Sequence, residues 1–206
     1  MTSIYLLYKM AQNSSIYSRL DRRIKTLGMY YLPIKNSPLI HYTKKEEDNI
    51  RAYLLLVHAE LESYFETISR DKAKNALNKW LSNNKYNSQI LLSLSCFVEQ
   101  TQRVKQQQTI EDKLRQIVGV FCETIKNNNG IKEKNIKELL LPIGIKNTDL
   151  DNTWLNTLNS FGSKRGEFAH TTATVSIVPN HNDIKRDVQN ILTELKSLDR
   201  IIQTLK

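Results

Sequence analysis

Residues Asp183 to Lys206 read DIKRDVQNILTELKSLDRIIQTLK. In that stretch Ile184, Val188, Ile191, Leu195, Leu198, Ile202 and Leu205 follow one another at steps of 4, 3, 4, 3, 4 and 3. An α-helix turns once every ~3.6 residues, so these steps gather the apolar side chains into one seam. A seam so regular needs a neighbouring helix to cover it, and it predicts a bundle of packed helices.

The rest of the chain fits that reading. A first helix is expected from roughly Ile4 to Leu27, with Ile16, Leu20, Ile24 and Leu27 on one side. Pro33 and Pro38 then break the chain in a loop that ends near His41. Thr43-Lys-Lys-Glu46 has the form of a capping box, with the Thr hydroxyl accepting an orphan amide and Glu46 reaching back. The helix it opens carries Ile50, Leu54, Val57, Leu61, Tyr64, Phe65 and Ile68, and a shorter segment with Ala73, Leu77, Trp80 and Leu81 follows. After the polar turn Asn83 to Ser88 come Leu91, Leu94 and Val98 on one stripe, beside Ile90 and Phe97. Thr109 is then expected to cap a helix with Ile110, Leu114, Ile117, Phe121 and Ile125 inward. Asn127-Asn-Asn-Gly130 is a strong helix stop, because Asn and Gly tolerate left-handed backbone. A short helix from about Lys132 to Leu141 ends before Pro142, and Thr148 to Asp151 starts another. Only Thr171 to Val178, closed by Pro179, reads as extended. The fold class is therefore all-α: an antiparallel helical bundle over residues 43–206, with residues 1–42 as an extra N-terminal helix and Pro-containing loop.

Composition narrows the function classes. The 206 residues hold only 6 Gly and 4 Pro, too few for the turns of an all-β fold. The longest apolar runs, such as Tyr53 to Val57, are too short to cross a bilayer, so no membrane association is expected. The start, MTSIYLLYKMAQNSS, lacks a basic segment before its apolar residues, which predicts no signal peptide. Cys96 and Cys122 make neither a disulfide framework nor a metal set; they read as partly buried thiols in a reducing cytoplasm. The net charge is +9, from 14 basic and 9 acidic residues over 1–100, and 16 and 12 over 101–206. So even a basic excess favours a polyanionic partner such as RNA. There is no Gly-rich phosphate loop, no G-x-S-x-G and no H-E-x-x-H, and neither a metal nor a cofactor is expected.

One segment carries chemistry: Trp154 to His170, ending LNSFGSKRGEFAH. On a helix Trp154, Leu158, Phe161 and Phe168 share a face, and Arg165 falls among them. A guanidinium on an apolar stripe needs a partner, a polar cleft or a subunit interface. Arg165-Gly-Glu-Phe-Ala-His170 resembles the R-x4-6-H motif of HEPN-domain ribonucleases. The surrounding residues, with YLLLVHAELESYFETI from Tyr53, resemble the RiboL-PSP-like members. A second match, Arg51 with His58, ranks lower because the family motif sits late, before the terminal helix. Gly166 departs from the polar residue that often follows the Arg, and glycine loosens a helix.

The resemblance, over roughly Thr43 to Lys206, implies an all-α homodimer with Arg and His from both subunits in one groove. It implies metal-independent RNA cleavage in toxin–antitoxin or phage-defence settings, with an antitoxin or other defence-system protein as partner. Carried onto this chain, Arg165 and His170 are the catalytic residues. Glu62 and Glu167 are supporting residues, and Lys164 is an RNA phosphate contact. The chemistry suits the pair: a histidine titrates near neutrality and moves the proton, and a planar guanidinium holds the charge gathering on phosphorus. The other function class is a non-catalytic RNA-binding or protein-interaction bundle.

Overall fold

The computed structural model describes residues 12–34, 41–82, 87–99, 109–170 and 180–206, with the side chains of residues 98, 99 and 168–170 outside that description. Among the described residues the helices are α1 (Ser15–Tyr31), α2 (Lys44–Ser82), α3 (Gln89–Glu99), α4 (Ile110–Asn127), α5 (Glu133–Leu140), α6 (Asn152–His170) and α7 (His181–Thr204). A single 3-10 turn at Asn147–Asp149 leads into α6, and no strand is present among them. The protein is all-α. None of these helices is long and apolar enough to cross a membrane.

The spine is α2, whose 39 residues run for about 58 Å at ~1.5 Å per residue. Its capping box forms: the Thr43 N–H donates to Glu46 Oε2 at 2.8 Å, and the Glu46 N–H returns to Thr43 Oγ1 at 3.3 Å. The expected division after Ile68 is absent. Ser69 to Lys72 contains neither Gly nor Pro, so nothing stops the helix there, and Ala73 and Ala76 are buried in the same rod. Tyr64 and Phe65 meet edge to face, and Phe65 leans on Trp154 of α6.

Side-chain pairs give the directions. Gly28 and Tyr17 of α1 lie by Tyr53 and Tyr64 of α2, so these two helices are antiparallel. Trp154 Nε1 donates to the Ile191 carbonyl and Lys164 pairs with Asp187, which makes α6 and α7 antiparallel. The seam of α7 is buried from Ile184 to Ile202. Thr109 and Asp112 cap α4 reciprocally, yet Ile110 is 68% exposed, contrary to the expectation that it points inward; as the first helical residue it stands beyond the edge of the core. Cys122 packs against the core whereas Cys96 is exposed.

The first helix differs most. Residues 12–14 are not helical, and α1 starts at Ser15 and runs on to Tyr31. The reason lies in α7. Asp199 is fully buried and accepts from the Ser14 N–H at 2.6 Å, Ser14 Oγ at 2.7 Å, Tyr64 OH at 2.7 Å and Asn13 Nδ2 at 3.2 Å. Ser14 Oγ in turn accepts the Tyr17 N–H and so caps α1. Had the helix continued back through Ser14, its amide would be spent within the helix and Asp199 would lose a donor. Tyr17, Leu20, Ile24 and Leu27 enter the same core as the other helices. Burial raises the Tyr64 phenol well above its usual range, with the Asp199 carboxylate adding to the effect. Burial, helped by Asp21 and Asp199, pushes the Tyr17 phenol up to about 12.

Candidate functional site

The loop between α4 and α5 sets the floor of the site. Asn128 caps the end of α4, and its Nδ2 donates to the Asn135 carbonyl at 3.2 Å. Asn135 Nδ2 donates back to the Asn129 carbonyl at 3.2 Å. Gly130 adopts φ +118°, a conformation that side chains disfavour. The turn aims the Gly130 N–H at α2, where it donates to Glu62 Oε1. Ile131, next in the chain, is fully buried.

Helix α6 closes on this loop from the other side. Asn159 Oδ1 accepts the Glu133 N–H at 2.8 Å and so supplies the cap that α5 lacks locally. At Gly162 the loop's side chains lie close on α6: a Cβ there would stand 3.2 Å from Lys132 Cγ. Arg165 lies one turn further along the same side of α6 and is exposed. Its charge reaches His58 on α2. His58 is 4% exposed, and its Nδ1 faces Glu62 Oε2 at 3.9 Å, four residues along the helix. Burial pushes the His58 imidazole below its usual range; Glu62 pulls it up and Arg165 pushes it down. At neutral pH it is therefore uncharged.

Glu62 and Arg165 thus both act on one buried histidine, His58. Arg165 forms no salt bridge among the described residues, which leaves its planar fork open toward solvent. The stripe continues along α2, where burial and the neighbouring Glu62 raise the Glu66 carboxyl while Arg70 lowers it. Lys164 is engaged elsewhere, its Nζ 2.9 Å from Asp187 Oδ2 on α7. Glu167 is exposed on α6. His170 ends the helix, five positions after Arg165, and its side chain lies outside the described residues, as does the stretch Thr171 to Val178. Gly166 sits within continuous helix and leaves open space where a Cβ would be. The Arg51 and His58 pair does not act as a unit. Arg51 reaches Asp48 at 3.1 Å and Glu47 at 3.9 Å, while His58 turns to Glu62. Among the described residues no three His, Cys, Asp or Glu side chains gather as metal ligands.

A family model described as RiboL-PSP-HEPN matches residues 18–204. The chain belongs to that family. The match takes in all of α2 to α7 and most of α1, so the whole framework that positions Glu62 and Arg165 is HEPN sequence. No curated protein and no solved structure shows significant similarity to this HEPN protein.

Sequence reasoning paired His58 with Arg51 and did not connect Gly130 with Glu62. His58 was visible as a histidine on the apolar stripe of α2, four residues before a Glu. Gly130 was read only as a stop signal. Its second role, offering an amide to Glu62, follows from a tertiary contact that local spacing does not encode.

Proposed function

We propose that this HEPN protein is a metal-independent endoribonuclease, a toxin or phage-defence effector that acts on RNA in the cytoplasm. The observation that carries the reading is Arg165: an exposed guanidinium, without a salt bridge among the described residues, whose charge reaches the buried His58, five positions before a second histidine. In the proposed step the RNA 2′-oxygen attacks the adjacent phosphorus and gives up its proton to the His170 imidazole. The 2′-O–P bond forms, the P–O5′ bond breaks, and the 5′-oxygen leaves with a proton from an acid. The products are a 2′,3′-cyclic phosphate and a 5′-hydroxyl. Arg165 stabilises the charge on the phosphoryl oxygens. The nucleophile belongs to the substrate, so RNA is cut and DNA is not.

One subunit brings one Arg and one His170, while the step needs a base and an acid. A two-fold dimer supplies both from two copies. The need to shield Phe161 does not support the dimer, because Phe161 is already buried within one subunit. An antitoxin-like partner would restrain the enzyme by covering Arg165.

Arg165→Ala and His170→Ala are expected to abolish cleavage of RNA and any growth arrest while leaving the far-UV circular dichroism intact. Cleavage persists in EDTA and leaves cyclic phosphate ends. Mixed dimers of the two variants recover part of the activity. Full cleavage by the His170→Ala protein overturns the assignment of that residue, and inhibition by EDTA overturns metal independence.

A further inference from the structure

Lys132 is the residue before α5, and its backbone is fixed on both sides. Ile131 is fully buried, and the Glu133 N–H donates to Asn159 Oδ1 on α6 at 2.8 Å. From there the Lys132 stem lies on α6 at Gly162, which is buried. A Cβ at Gly162 would stand 3.2 Å from Lys132 Cγ and 3.7 Å from its Cε, so the missing side chain makes room for the stem. Nζ is one bond of about 1.5 Å beyond Cε, which keeps the ammonium within about 5 Å of that point on α6. Arg165 follows Gly162 by three residues, and such residues have Cβ atoms about 5–6 Å apart on a helix. Both cationic side chains are exposed, and neither has a salt bridge among the described residues. Glu133, next in the chain, pairs with Lys137 at 2.6 Å instead of with Lys132. Lys132 does not serve its own helix either, since its side chain makes no cap bond to α5. Lys164 differs, being held by Asp187 of α7. A lysine loses rotamer freedom when its head is fixed; here the stem is already laid down, so less is lost when an anion arrives.

We propose that Lys132 is a second cation on the RNA path, binding a backbone phosphate beside the one that Arg165 holds. The proposal rests on the reading above that RNA meets Arg165, and it says where the strand lies: across α6, from Arg165 toward the α4–α5 loop. An ammonium on a phosphate reads no base, so the contact adds affinity for RNA of any sequence.

The test uses the full chain and a single-stranded 2′-fluoro RNA, which lacks the nucleophilic hydroxyl and stays uncut. Binding is measured between about 50 and 200 mM salt. One phosphate contact to a single strand contributes about 0.7 to the slope of log affinity against log salt, or about fivefold in affinity at 0.1 M salt. Lys132→Ala is expected to lose that much, and Lys132→Arg to keep it. Lys134→Ala removes the same charge two residues on, from a side chain 3.8 Å from Glu138, and is expected to leave the slope unchanged. With ordinary RNA, Lys132→Ala raises KM about fivefold and changes kcat by less than about twofold. An unaltered slope in Lys132→Ala overturns the proposal and leaves the nuclease reading standing. So does an equal loss in Lys134→Ala, which marks net charge alone, or a fall in kcat with KM unchanged. RNA bound with the Lys132-dependent slope yet never cut removes the nuclease reading and keeps the contact. A protein that neither binds nor cuts RNA overturns both.

Discussion

Replacing Asp199 with Ala tests how this bundle is closed. The carboxylate is fully buried and accepts four hydrogen bonds. Among the described residues three of the donors, the Tyr64 hydroxyl and the Ser14 amide and hydroxyl, have no second acceptor, whereas Asn13 Nδ2 keeps the Lys196 carbonyl at 2.7 Å. Each buried donor left unsatisfied costs about 1–3 kcal/mol. Three of them, less the desolvation no longer needed for the charge, give a loss of about 3–5 kcal/mol for Asp199→Ala. Asp199→Asn keeps one acceptor oxygen and is expected to lose about half as much. Against a total stability of about 5–15 kcal/mol the larger loss is plain in urea unfolding followed by circular dichroism. Hydrogen exchange should locate it: the amides of α1 open first, since the Ser14 cap goes with the carboxylate. A double-mutant cycle with Tyr64→Phe assigns the share of the phenol, because the two losses cannot add when they remove the same bond. If Asp199→Ala unfolds within about 1 kcal/mol of the unaltered protein, the reasoning about the buried acceptor fails.

The remaining predictions concern backbone freedom and titration. Gly166→Ala, in open space on continuous helix, is expected to raise stability by about 0.5–1 kcal/mol in the same urea assay; a loss would show that α6 needs glycine there. The depressed pKa of His58 means that the unfolded chain binds more protons than the folded one at and just below about pH 6.5. Stability from this group is therefore full above that pH and is lost as pH falls, with a slope of at most about 1.4 kcal/mol per unit. Glu62 and Arg165 face the imidazole and act on it in opposite senses, and the raised Glu66 works against the loss at lower pH. Comparing unfolding between about pH 7.5 and 5.5 with His58→Gln isolates the histidine; identical slopes in the two proteins refute the assignment.

The helices were legible where the cause of a helix is local. Thr43 with Glu46, and Thr109 with Asp112, mark two starts because a cap and its amide lie three residues apart. The seam of α7 was legible for the same reason, its spacing being a property of one helix. The start of α1 was not, since Ser14 leaves the helix to serve an aspartate 185 positions away. Nor was the unbroken length of α2, where the loss of apolar rhythm after Ile68 marks a change of neighbours rather than an end. At the site, Arg165 and Glu62 stood out by residue type and stripe position. His58 was hidden by a misleading companion, Arg51 on its own helix, because its actual neighbour Arg165 comes from α6.

The clasp between Ser14 and Asp199 also orders events on the ribosome. At ~5–20 residues per second, about 10–40 s pass between synthesis of the serine and of the aspartate that receives its amide. Throughout that interval α1 has no α7 to dock on, and Tyr64 on α2 waits for the same acceptor. The α4–α5 loop and Arg165 are made before Asp199, yet the bundle that holds them locks only when the aspartate emerges. If the chain cuts RNA as proposed, its groove would thus stay immature until synthesis had passed Asp199.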